Sequence, residues 1–174
     1  MTATASSLDL GALLGARFVD ALVRGDFDDM RSMLHPAVKF RGLSPHKFLK
    51  VSPSDSVGGV IRAFRLWLYE GEGEYADHPE ELLACSVAPF GSGGRYKLSY
   101  RIRSKSREMA EFYRGEGFGE VADDADWIVE QEAYYDVLDG TIAWMIVLCG
   151  GYQPLEPVAI ALDVPETASR QIVV

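Results

Sequence analysis

The dipeptide Asp139-Gly140 lies between two long runs rich in β-branched and aromatic residues, Trp127 to Val137 and Thr141 to Tyr152. An Asp-Gly pair suits both positions of a tight two-residue turn whose twist matches that of paired strands. A hairpin this long commits the C-terminal part of the chain to an antiparallel sheet. It also sets a register in which Leu138 faces Thr141, Val137 faces Ile142, Tyr135 faces Trp144 and Gln131 faces Leu148. One face then carries Trp127, Gln131, Ala133, Tyr135, Ile142, Trp144, Ile146 and Leu148. The other carries Glu130, Glu132, Tyr134, Asp136, Ala143, Met145, Val147 and Cys149. Side chains alternate with period two, so one bulged residue exchanges the sets beyond it.

Upstream, Arg95 to Arg103 alternates strictly, with Tyr96, Leu98, Tyr100 and Ile102 on one side and basic residues or Ser99 on the other. That is the pattern of a half-buried antiparallel strand. Leu82 to Pro89 reads as its neighbour, joined through the glycine turn at 91–94. The connection 104–126 is too long for a turn. Met109, Phe112 and Tyr113 suggest a short amphipathic helix there, and a connection of this kind suits a lid or an insertion.

The N-terminal part has helical spacing instead. Leu10, Leu13, Leu14, Phe18, Ala21 and Leu22 recur along Leu8 to Arg24, and Gly25 ends that run. Asp26 suits the cap of a second, short helix that His35-Pro36 stops, and Val38 to Arg41 reads as a brief strand. Ser52 and Pro53 suit the start of a third helix, with Val57, Val60, Ile61, Phe64 and Trp67 on one face.

Composition excludes several roles. A chain of 174 residues suits one domain and is long enough for a core without disulfides or metals. The net charge of −9 opposes binding to nucleic acid or to an anionic membrane surface. No apolar run reaches the roughly 18 residues that span a bilayer. The first residues lack a secretory signal pattern, and Cys85 and Cys149 are far apart and sit in apolar stretches. A reduced, cytoplasmic protein without metal or cofactor is the expectation.

The stretch from Phe18 to Pro154 resembles the nuclear-transport-factor-2-like superfamily in its element order. RGDFDDMRSMLHPAVKFRG is similar to its helix-to-first-strand segment, and VEQEAYYDVLDGTIAWMIVLCGGYQP to the final hairpin of its SnoaL-like branch. The resemblance implies a single α+β domain of cystatin-like type over 1–174, with residues 155–174 as a C-terminal extension. Three N-terminal helices would enclose a pocket against a cone-shaped, strongly curved antiparallel sheet. Members include polyketide cyclases, a steroid isomerase, a scytalone dehydratase, epoxide hydrolases and proteins that only bind, so the fold does not choose the reaction. The Asp-Arg-Asp set of limonene-type epoxide hydrolases has no counterpart at matching positions. A homodimer through the outer sheet face is the implied assembly.

Under that resemblance the third helix and the concave face enclose the site. By the register above, Tyr96, Tyr100, Gln131 and Tyr135 reach it among Phe64, Trp67, Trp127 and Trp144. Phenols and an amide in an apolar cavity orient a carbonyl or hydroxyl and stabilise an enolate; the same residues also serve as core with hydroxyls at its rim. Proton-carrier candidates are His35, which otherwise serves as a turn device, and Glu130, which otherwise pairs with Lys97, Arg101 or Arg103 on the outer face. Arg41 stands either at the pocket mouth, against an anionic ligand, or at a solvated strand end. Two functions follow: a cofactor-independent lyase, isomerase or cyclase acting on a hydrophobic oxygenated compound, or a binding or assembly module of the same shape.

Overall fold

A computed structural model describes residues 9–43, 54–69 and 77–155; readings placed on 44–53, 70–76 and 156–174, including His46 and the proline-bearing tail, lie outside them. Helix α1 (Leu10–Val23) opens on Asp9, whose carboxylate accepts from the N–H groups of Gly11 and Ala12. Helix α2 (Phe27–Ser32) is capped by Asp26, as its sequence suggests. Strand β1 (Leu34–Leu43) is longer than the Val38–Arg41 segment expected.

Helix α3 (Val57–Leu68) starts one turn later than expected, with Ser56 rather than Ser52 as its cap. Ser54 explains the delay. It is held extended in an antiparallel bridge to Phe40, which no helical residue adopts. Asp55 is turned to Lys39 (3.2 Å) and Arg41 (3.4 Å).

The remaining elements are β2 (His78–Pro89), β3 (Arg95–Lys105), α4 (Arg107–Gly115), β4 (Asp126–Leu138) and β5 (Thr141–Pro154). The five strands form one sheet in the order β1-β5-β4-β3-β2. All pairings are antiparallel except β1 with β5, which is parallel. The expected antiparallel sheet is found, with this single parallel pairing at its margin. Almost the whole fold separates these two strands in sequence, so a long crossover is available.

At the hairpin tip Asp139 (φ 51°) and Gly140 (φ 74°) adopt the expected turn. Leu138 faces Thr141 and Val137 faces Ile142, as read from sequence, but Asp136 then faces Trp144. Ala143 is therefore an extra residue, and from it the parity of β5 reverses. Gly150 is a second extra residue, since Gln131 faces Cys149 while Glu130 faces Gly151. Between the two bulges Met145 and Val147 point to the core and Trp144, Ile146 and Leu148 point out, the opposite of the expected set. Strand β2 is also irregular, with register shifts after Pro79 and after Leu82.

The inner face of the sheet and the helices close on one apolar core. Phe18, Phe40, Phe64 and Trp67 meet edge-on or tilted, with centroids 5.5–6.0 Å apart. The expected inner rows of β3 and β4 are found: Leu98, Ile102, Trp127, Ala133 and Tyr135 are buried. Such burial supplies roughly 1.5–3 kcal/mol per large apolar side chain.

Candidate functional site

Four strands contribute one row at the same level of the sheet, Cys85, Tyr100, Gln131 and Cys149, in which Tyr100 and Gln131 are buried, Cys149 is half-buried and Cys85 is exposed. Tyr100 and Gln131 are 5 % and 2 % exposed, and the phenol donates to Gln131 Oε1. A buried polar group is costly unless partnered, and here each partners the other. Burial pushes the Tyr100 phenol well above its ordinary value of 10. At neutral pH it is a fixed hydrogen-bond donor.

Tyr96 and Tyr135 also face inward, as expected, but their hydroxyls hold a helix. Their rings stack at 5.4 Å beneath α1. Tyr135 donates to the carbonyl of Gly11 (2.8 Å), and Tyr96 donates to Asp9 Oδ1 (2.8 Å). That bond, with the Ala12 and Gly11 N–H groups, lowers the Asp9 pKa. The contact is possible because α1 presents Gly11 and Gly15 to the rings. A Cβ on Gly11 would overlap the Tyr96 ring, and one on Gly15 would lie 2.7 Å from Tyr135 Cζ. Of the leucines expected to face the core, Leu10 is 77 % and Leu13 49 % exposed, while Leu14 packs against it. The missed signal is the glycine spacing in GALLG.

At the end of the sheet where β4 begins, Trp127 is fully buried beneath Tyr113 of α4, with centroids 4.9 Å apart. Tyr152, two residues along on the same face, donates to the carbonyl of Trp67 (2.8 Å). The indole N–H groups of Trp67 and Trp127 are buried and have no acceptor among the described residues. The 104–126 connection packs over this end through Met109, Ala110 and Val121. Its helix is anchored by Asp77, a buried carboxylate that sequence reading passed over. Asp77 accepts from the Ser106 hydroxyl (2.9 Å) and the Arg107 N–H (3.1 Å).

Other expected site residues lie elsewhere. Glu130 projects from the outer face into an ion pair with Arg101, and the nearby bulge falls on β5 without turning it inward. Lys97–Glu132 and Arg95–Asp136, both 2.6 Å, continue this ladder. Trp144, expected inside, lies outside because of the Ala143 bulge, with the Arg95 guanidinium 4.7 Å above its ring. His35 Nδ1 accepts from the Ala37 N–H (3.1 Å), a local turn bond. Arg41 stands at the strand edge beside Asp55. Phe64, expected to line the pocket, is buried in the core.

The outer face carries a groove of about 640 Å³ across β2, β3, β4 and β5. It is lined by the rows Ser86, Ser99, Glu132, Leu148 and Ala84, Arg101, Glu130, Gly150, and by the row between them that holds Tyr100 and Gln131. Among the described residues no group of three or more His, Cys, Asp or Glu is arranged to hold a metal ion, and no helix is long and apolar enough to cross a membrane.

No protein-family model and no curated protein matches the chain. Solved structures do. An isomerase candidate from Bacillus subtilis superposes with a TM-score of 0.58 at 10 % identity, covering 83 % of this chain and 88 % of that one. A polyketide cyclase candidate from Xanthomonas campestris gives 0.57 at 17 % identity, covering 82 % and 92 %. An NTF2-like protein from Burkholderia thailandensis gives 0.51 at 13 % identity, covering 80 % and 89 %. At such identities the likeness is one of architecture, and on it this chain has the nuclear-transport-factor-2-like fold.

Proposed function

We propose that the protein holds a small, largely apolar, oxygen-bearing molecule between α1, α3 and the concave face, with Tyr100 and Gln131 as its polar contact. The observation that carries this reading is the phenol–amide pair in the middle of the core. Two apolar side chains of the same shape would serve folding about as well, so the pair calls for another use. The orphaned indole donors of Trp67 and Trp127 support the reading, since a ligand oxygen is a natural acceptor for a buried N–H. Support from the cyclase and isomerase candidates is at the level of fold.

Chemistry without a cofactor on such a ligand would use Tyr100 as a protonated donor to a carbonyl oxygen, stabilising an enolate as it forms. Proton transfer also needs a carrier, and Glu130 and His35 are engaged away from the concave face. Binding is therefore the first reading and isomerisation or cyclisation the second.

Titrating the tryptophan fluorescence with lipophilic ketones and lactones tests this. Wild type should show saturable quenching with at least one probe, weakened about ten-fold in Tyr100→Phe. Silence across the panel sinks the binding reading. Turnover abolished by His35→Ala or Glu130→Gln would restore those residues as proton carriers.

Assembly belongs to the same proposal. The Ala143 bulge turns Trp144, Ile146 and Leu148 onto the helix-free face beside the groove, and a second copy of the chain would cover them. Sedimentation velocity should show a dimer that Leu148→Glu converts to monomer. A monomeric wild type at micromolar concentration removes this part.

A further inference from the structure

A cleft of about 410 Å³ opens between α2 and α3, away from both sheet faces. Arg31, Arg62 and Arg65 line it, with buried Ile61 at its base. Every other described arginine has a carboxylate within 3.4 Å. These three do not. Arg62 has no partner among the described residues. Arg65 lies over the Phe27 ring at 4.9 Å. Arg31 reaches only Asp28, at 3.7 Å, and that carboxylate is fully exposed to water.

Three guanidinium groups facing one cleft repel each other, and the arrangement is stabilised by whatever anion enters. Acidic residues are abundant in this chain, which carries a net charge of −9, yet among the described residues no carboxylate lines the cleft. Guanidinium forks match the oxygens of carboxylate and phosphate. Three forks present more donors than two carboxylate oxygens use. A phosphoryl dianion, with three terminal oxygens, fits better.

We propose that this cleft binds the phosphoryl group of a soluble small molecule. It goes beyond the binding site proposed above and uses none of its residues. The net charge of −9 disfavours a polyanion such as nucleic acid.

The test titrates the full chain with inorganic phosphate at constant ionic strength, followed by ³¹P line width, with phosphatidic acid vesicles in a parallel sedimentation arm. Wild type should saturate. Arg62→Ala, at an exposed side chain with no hydrogen-bond or ion-pair partner among the described residues, should weaken binding about five-fold. Arg62→Lys should recover part of it, and Arg101→Ala on the opposite face should match wild type. No saturation, or equal binding by Arg62→Ala and wild type, overturns the proposal. So does sedimentation with the vesicles that depends on Arg62 while free phosphate stays silent.

Discussion

Replacing Gly15 by alanine is expected to destabilise the protein by about 2 kcal/mol, although alanine is the better helix former by about 1 kcal/mol. The added methyl would overlap Tyr135 Oη and lie 2.7 Å from Cζ. Tyr135 has no room to retreat, because its ring is fully buried, stacked on Tyr96 and tied to the Gly11 carbonyl. The helix must lift or the ring must leave its rotamer, and either response loosens α1 from the sheet. Urea unfolding of Gly15→Ala, Tyr135→Phe and the double variant forms a cycle that isolates the contact. Tyr135→Phe alone loses one hydrogen bond, about 1 kcal/mol. In the double variant the nearest clashing atom is gone, so the combined loss should fall short of the sum. A Gly15→Ala protein as stable as wild type, or strict additivity, refutes the close approach.

Tyr100→Phe should cost about 1–3 kcal/mol, because it leaves Gln131 Oε1 buried without its donor. Gln131→Leu should cost a comparable amount, leaving the phenol without its acceptor. Tyr100→Phe with Gln131→Leu removes both needs and should come close to wild type. If each single variant is neutral, the pair is not enclosed as described. The same phenol gives an alkaline signature. Its folded pKa lies well above the ordinary value of 10 because burial disfavours the phenolate. The unfolded chain therefore releases protons above about pH 10 while the folded one keeps them. Tyr100's contribution is complete below pH 10 and declines above it, by up to about 1.4 kcal/mol per pH unit. Tyr69, pushed up to about 12 by burial, acts in the same direction between 10 and 12. Denaturant midpoints should be flat from neutral pH to about 9.5 and then fall, and the fall should be shallower in Tyr100→Phe. An unchanged slope in that variant rules out its part.

The strands with strict alternation were legible from sequence. Tyr96, Leu98, Tyr100 and Ile102 lie on one face because a half-buried antiparallel strand has a two-residue period that no helix imitates. Asp139-Gly140 located the hairpin because few other pairs tolerate two positive φ angles. The Ala143 bulge was not legible: Trp144, Ile146 and Leu148 are apolar, and so are Met145 and Val147, so either parity buries an acceptable row. Which set enters the core is decided by tertiary packing. The same holds for α1, where the inward face is chosen by the tyrosines beneath it and not by the leucines. The cap of α3 was misplaced because Ser52 and Ser56 are chemically equivalent, and the pairing of Ser54 with Phe40 is a long-range fact. Of the site, the placement of Tyr100 and Gln131 on one face followed from the two-residue alternation of β3 and β4, whereas the bond between them did not. The pair's isolation from Glu130 and His35 required coordinates.

The open sheet ends in two margins, and each is closed to a stranger in its own way. On β1 the backbone of Phe40 is already taken by Ser54, through hydrogen bonds of 2.7 and 3.1 Å, with Lys39 and Arg41 on either side. On β2, Pro79 and Pro89 remove N–H donors and the two shifts of register break the straight row of carbonyls that an incoming strand would read. Edge-to-edge addition of a further strand, the route to fibrils, meets an obstacle of its own kind on each margin.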